Sequence, residues 1–341
     1  MPTPPRVAAV LLALTTSTLV GFALLVGGCD TGADGDRPDL AVSAFLGTGE
    51  PLPPVLLSRT VGLFEEYDVE RAAVEGARVT VTLEGPGGAD EAVYDYVRTG
   101  PGEYAARDVD AVVLAGRTYR LDVVGPGGER LVARTTPPPD FDVVRGPDSV
   151  VVYGVGLGPA VQITPSSTPD RAAVFVATTR ALAPARFDPV QVDGETFYRS
   201  RNEPGRFLPV PIVRRFLDCV DEPAGTVLCA EDPGTEDIRV GTSPVINEAG
   251  YERLGDGSLL VRAPFLAFGY LGPQSLSLVS LDRAFQDFVQ TQSVQGGGST
   301  LSPGEIPNVT TNVEGGLGVF GSFARETVTT TLVEPAGLPL P

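Results

Sequence analysis

Short runs in which apolar and polar residues alternate, two copies of the tetrapeptide Gly-Pro-Gly-Gly and a scarcity of helical periodicity predict a mainly β protein. Alternation places one face of each strand in a core and the other in water, and the turns between runs suit antiparallel hairpins. The expected architecture is an N-terminal Ig-like antiparallel β-sandwich followed by a second β-rich domain with one short helix. In residue numbers, 1–28 is a leader, 29–37 an acidic flexible tether, 38–136 the sandwich and 137–341 the C-terminal domain.

The leader carries one basic residue, Arg6, ahead of an apolar stretch over 7–26 whose polar members are Thr15, Thr16, Ser17 and Thr18. That is the form of a bacterial secretory signal. It ends in Leu24-Leu25-Val26-Gly27-Gly28-Cys29, an aliphatic residue and two glycines before a cysteine, the pattern of a lipoprotein cleavage site. Cys29 is therefore the expected lipidation site. Each buried acyl methylene contributes about 0.8 kcal/mol, so two or three chains suffice to hold a protein to a membrane. A stretch of this length could also span a bilayer, but no basic stop-transfer cluster follows it, and Asp30, Asp34 and Asp36 mark a solvated tether.

Behind the tether, 40–46 and 54–58 read as short strands. In 77–83, Ala77, Val79, Val81 and Leu83 share one face while Arg78, Thr80 and Thr82 share the other. The Gly-Pro-Gly-Gly turns fall at 85–88 and 125–128, each between β-rich runs. Between them lie 102–105 and 115–123, the latter with Tyr119, Leu121 and Val123 on one face. No lysine or following helix accompanies the glycines, which argues against a phosphate loop. Pro137-Pro138-Pro139 is stiff polyproline punctuation between the domains. Strands resume at 150–153, 172–177, 259–262 and 276–281. The one helix is expected over 280–290, capped by Ser280, with Leu281, Ala284, Phe285 and Phe288 forming a core-facing stripe.

Composition removes whole mechanisms. The chain has no His and no Trp, and all 25 basic residues are Arg, so imidazole triads, Schiff-base lysines and histidine-ligated zinc are unavailable. A net charge of −18 argues against nucleic acid as a partner. Carboxylate chemistry survives, as in glycoside hydrolysis or calcium binding, but no constellation for either is visible; Asp140 and Asp142 are only near neighbours beside the linker. No catalytic residue, metal site or cofactor is assigned. With Cys29 acylated, Cys219 and Cys229 remain as an even pair around a Pro-Ala-Gly centre, expected to be a disulfide that staples a hairpin. A redox or metal-ligating pair is the alternative; the spacing is not that of a CxxC motif.

The last third contains Pro307-Asn308-Val309-Thr310-Thr311-Asn312-Val313-Glu314-Gly315-Gly316-Leu317-Gly318-Val319-Phe320-Gly321. Earlier come Gly76-Ala77-Arg78-Val79-Thr80-Val81, Gly102-Glu103-Tyr104, Gly116-Arg117-Thr118-Tyr119-Arg120-Leu121-Asp122-Val123 and Thr136-Pro137-Pro138. In order and spacing these resemble the exported Bacteroidota lipoproteins catalogued as domain of unknown function 4249. The resemblance implies an outer-membrane lipoprotein facing the cell exterior, held by lipid on Cys29, with a TonB-dependent transporter as partner and no known reaction. It also implies that Asp148-Ser149-Val150 fits a short O-glycosylation site at Ser149. Asn308-Val309-Thr310 has the form of an N-glycosylation acceptor and is read as accidental. The glycine-rich segment itself is expected to be a tight structural crossing. The function expected is an accessory or binding protein and not an enzyme; the alternatives are a structural surface lipoprotein or a carboxylate-based glycan hydrolase.

Overall fold

A computed structural model of the protein describes residues 39–61, 68–165, 172–201, 207–234, 236–293 and 310–335. The leader, the tether with Cys29, and Asn308 and Val309 lie outside these residues. The chain is mainly β, as the alternation predicts. Seven strands come first: β1 (Leu40–Gly47), β2 (Val55–Arg59), β3 (Arg78–Glu84), β4 (Asp90–Gly100), β5 (Glu103–Ala106), β6 (Tyr119–Val124) and β7 (Arg130–Thr135). They pair antiparallel in the spatial order β1-β2-β5-β4-β3-β6-β7. Both Gly-Pro-Gly-Gly segments are hairpin turns, joining β3 to β4 and β6 to β7. The bonding repeats: Gly85 N–H donates to Ala89 O and Gly88 N–H to Gly85 O, and likewise Gly125 to Glu129 and Gly128 to Gly125.

The inward positions of these strands, among them Val42, Leu57, Val81, Tyr104, Tyr119 and Leu131, build one core. Two tyrosines carry polar tips into it and find partners, as buried hydroxyls must. Tyr104 Oη donates to Val74 O at 2.9 Å and accepts from Ala77 N at 3.1 Å. Tyr119 Oη accepts from Leu114 N at 2.8 Å. The proline run is more than a spacer: Pro137 and Pro138 are buried. Pro137 O accepts from Gly116 N, and Pro138 O from Thr48 Oγ1 at 2.8 Å.

Past the prolines come β8 (Val143–Arg145), β9 (Val150–Val152), β10 (Ala160–Ile163), β11 (Phe175–Ala181), β12 (Phe187–Val192), β13 (Glu195–Ser200), β14 (Cys219–Asp221) and β15 (Val227–Cys229). These are followed by β16 (Val240–Thr242), β17 (Tyr251–Arg253), β18 (Leu259–Arg262), β19 (Gly272–Leu281), β20 (Val313–Glu314) and the long β21 (Leu317–Val333). A second core draws on Phe141, Ile163, Phe175, Phe268, Leu276 and Leu332. Two four-stranded sheets, β17-β18-β10-β8 and β12-β13-β15-β14, accompany the large sheet.

Strand β21 serves both cores. Its first part runs parallel to β1, with Ala44 opposite Phe320, and its later part pairs antiparallel with β19. Separated from β21 by two residues, β20 pairs with β7 through Val313 and Ala133. The path that starts at β1 and passes through β2, β5, β4, β3, β6 and β7 therefore returns to β1 across the step Gly315-Gly316. Phe320 and Val313 thereby join the first core.

The helix begins later than its sequence pattern predicts. Ser280 is a buried residue of β19 opposite Ala324, and the helix spans Arg283–Ser293. Asp282 caps it, its Oδ1 accepting from Phe285 N at 2.8 Å. The stripe does face inward: Phe285 and Phe288 stack on Phe45, with ring centroids 4.4 and 5.8 Å away. Three shorter helices, Val69–Ala72, Pro211–Phe216 and Glu236–Arg239, are too brief for periodicity to announce.

Candidate functional site

The glycine-rich segment is occupied by the protein's own backbone. Gly318 has φ +111°, and a Cβ there would run into the carbonyl oxygen of Val42; one on Gly315 would meet that of Arg130, and one on Gly316 that of Leu40. Asn312 holds the crossing. Its Oδ1 accepts from Phe320 N at 3.0 Å, and its Nδ2 donates to Phe320 O at 2.8 Å and to Arg134 O at 3.0 Å. The side-chain amide thus stands in for a neighbouring strand on the side of β21 that β1 does not cover. A polar node secures the same region next to Arg134. Thr135 Oγ1 donates to Asp282 Oδ2 at 2.6 Å and lies 2.6 Å from Ser322 Oγ, all three residues being buried.

The cysteines are brought together as predicted: Cys219 and Cys229 pair across β14 and β15 and form a disulfide. Beside this hairpin, buried Arg214 donates to Asp221 Oδ1 at 2.9 Å and to Glu334 Oε1 at 2.6 Å. The adjoining helix Pro211–Phe216 turns Ile212 and Phe216, one helical turn apart, to solvent, and Phe216 is 79% exposed. Val220 on β14 is exposed as well. Ser149 is exposed at the entry to β9, with its carbonyl held by Thr331 N. Asp140 and Asp142 are both exposed beside the linker.

Two concavities differ in chemistry. One, of about 420 Å³, is lined by Arg186, Arg201, Arg239, Asp188, Asp232 and Phe187. Arg201 grips Asp188 through two bonds of 2.5 Å, and that fork holds the Asp188 carboxyl below its ordinary range. The other, of about 340 Å³, is apolar and lies between Val42, Leu57, Val69, Pro101, Phe288 and Val319. Sequence reasoning named none of these lining residues as a site, because they come from segments far apart in the chain. No group of three His, Cys, Asp or Glu able to hold a metal occurs among the described residues. Among the described residues, the carboxylates with displaced titration are Glu129, lowered by Arg59, Asp188, lowered by Arg201, and Asp256, lowered by Ser258.

A family model described as a domain of unknown function (DUF4249) matches residues 30–329. No curated protein matches the chain. Among solved structures, trypsin-activated alpha-2-macroglobulin from Escherichia coli is similar at 10% identity and a TM-score of 0.18, over 74% of this chain and 15% of that one. The chain thus spans 15% of that protein's length, and a likeness this slight carries no argument.

Proposed function

The chain belongs to the DUF4249 family, and from that premise we propose that it is a lipid-anchored accessory or binding protein of the bacterial outer membrane, facing the cell exterior beside a TonB-dependent transporter. One observation carries the proposal: the family match begins at residue 30, immediately behind the lipobox cysteine Cys29. A domain that starts where an acyl anchor ends is delivered to a membrane surface by a solvated tether. The exposed Ile212, Phe216 and Val220 on a disulfide-stapled support offer the rigid apolar contact that protein partners use.

The test is recovery of the full chain from its native membrane after cross-linking. A β-barrel transporter that co-purifies repeatedly, and is lost with Phe216→Ala, supports the reading. Recovery of the lipoprotein alone would count against a transporter partner and favour a structural surface component. Mass spectrometry of residue 29 decides the anchor separately: an unmodified thiol removes it.

A further inference from the structure

A third concavity, of about 580 Å³, lies over the outer face of the sheet β17-β18-β10-β8. Register defines that face. Gln162 pairs with Arg145 on one side and Leu260 on the other, and Ala160 pairs with Arg262. The alternate residues Val161, Ile163, Leu259 and Val261 are buried in the second core. Arg145 and Arg262 therefore rise from the same face, roughly 10 Å apart across two strand spacings and roughly 7 Å apart along them. Two arginine side chains can converge on one anion over that span.

The opposite wall is aliphatic. The loop from β9 to β10 alternates glycine with large apolar residues, Gly154-Val155-Gly156-Leu157-Gly158, and all three glycines have positive φ. Its base is fixed, since Tyr153 N–H donates to Val333 O and Gly158 packs on the carbonyl of Ala263. Its tip exposes Val155 at 57% and Leu157 at 74%, and Val150 on β9 is exposed beside them. Leu260 continues the apolar floor.

Charge selects the occupant. In a chain of net charge −18, arginines such as Arg59, Arg120 and Arg214 meet carboxylates. Among the described residues, no carboxylate lies within ion-pair distance of Arg145 or Arg262. Asp148 is the acid in the groove lining, so two guanidiniums against one carboxylate leave a net charge that suits a monoanion and disfavours a dianion. The volume falls in the range of small-ligand pockets. We propose that this groove binds a free carboxylate amphiphile, its head held by Arg145 and Arg262 and its aliphatic body laid against Val150, Val155, Leu157 and Leu260. This site goes beyond the anchoring role and stands whether or not Cys29 is acylated.

The experiment titrates octanoate into the purified full chain in solution, by calorimetry, with a buffer blank subtracted. Saturable single-site binding is expected, with 1-octanol and octylamine at least tenfold weaker. Arg262→Ala and Arg145→Ala should each weaken octanoate about tenfold, the loss of one charge-assisted hydrogen-bonding partner. Leu157→Ser should weaken octanoate and 1-octanol alike, and Arg215→Ala should change neither. Octanoate affinity equal to that of 1-octanol, or unchanged in both arginine variants, overturns the proposal. So does a result in which those variants lose binding to phosphatidylglycerol vesicles while octanoate is unaffected, because the face would then read a membrane surface.

Discussion

Replacing Asn312 with alanine should destabilise the whole fold through one side chain. The amide satisfies Phe320 N–H, Phe320 O and Arg134 O, and Phe320 is completely buried. Leaving a buried polar group unpaired costs about 1–3 kcal/mol. Asn312 itself is half-buried, so water reaches part of the vacated site and three such penalties do not add in full. A net loss of about 2–4 kcal/mol follows. For roughly 300 cooperative residues the unfolding entropy is about 0.6 kcal/mol/K, which converts that loss into a drop of about 3–6 °C in Tm. Circular dichroism at 218 nm, roughly the β-sheet minimum, or calorimetry reads it. Asn312→Asp is the sharper variant. It retains an acceptor for Phe320 N–H but sets a carboxylate against two carbonyl oxygens, so it should be no more stable than Asn312→Ala. A shift below about 1 °C for Asn312→Ala, or wild-type stability for Asn312→Asp, would refute the view that this amide acts as a surrogate strand.

Gly318→Ala should be far worse tolerated than Gly87→Ala: both have positive φ, but Gly318 faces the carbonyl of Val42 while Gly87 faces open space, which yields of order 1 kcal/mol for the latter. Soluble expression and Tm of the two variants compare them. Reducing the Cys219–Cys229 disulfide, which closes a loop with a sequence separation of 10, should cost about 2–3 kcal/mol by chain entropy and leave the first core intact, as hydrogen exchange of β3 and β6 would report. Asp188→Asn should flatten the acid limb of stability. The Arg201 fork lowers the folded-state pKa of Asp188, so its contribution is present above the ordinary value of 3.8 and is lost as pH falls through the lower folded value; exposure keeps it small, and urea midpoints at pH 2, 3 and 7 would measure it.

Local physics made much of this fold legible. The runs at 77–83 and 117–123 carry their alternation because each strand has one wet face, and the glycine turns announce themselves through residues that few other conformations favour. The helix starts at 283 and not at 280 for a physical reason: Leu276, Leu278 and Ser280 fit a strand, Leu281 fits both periods, and Ser280 and Asp282 are both good caps. The choice was made by the pairing of Ser280 with Ala324, which no local pattern contains. The second half of β21 shows no apolar alternation because Glu326 and Thr330 occupy inward positions, and mixed burial blurs the pattern of the hairpin β12–β13. The groove over β10 has no local signature, because Arg145, Gln162 and Arg262 become neighbours only through register.

The return of β21 to β1 has a bearing on how the protein is made. Contacts between residues 41–47 and 317–323 cannot form until nearly the entire polypeptide has emerged, and contacts this distant along the chain slow folding. A chain that emerges from its N-terminus would hold β1 and β7 with bare edges throughout that interval. Truncation before residue 313 would make the interval permanent, turning a transient folding intermediate into a species prone to edge-to-edge aggregation. The glycine step at 315–316 is thus a clock as well as a seam: its arrival ends the period in which the chain needs protection.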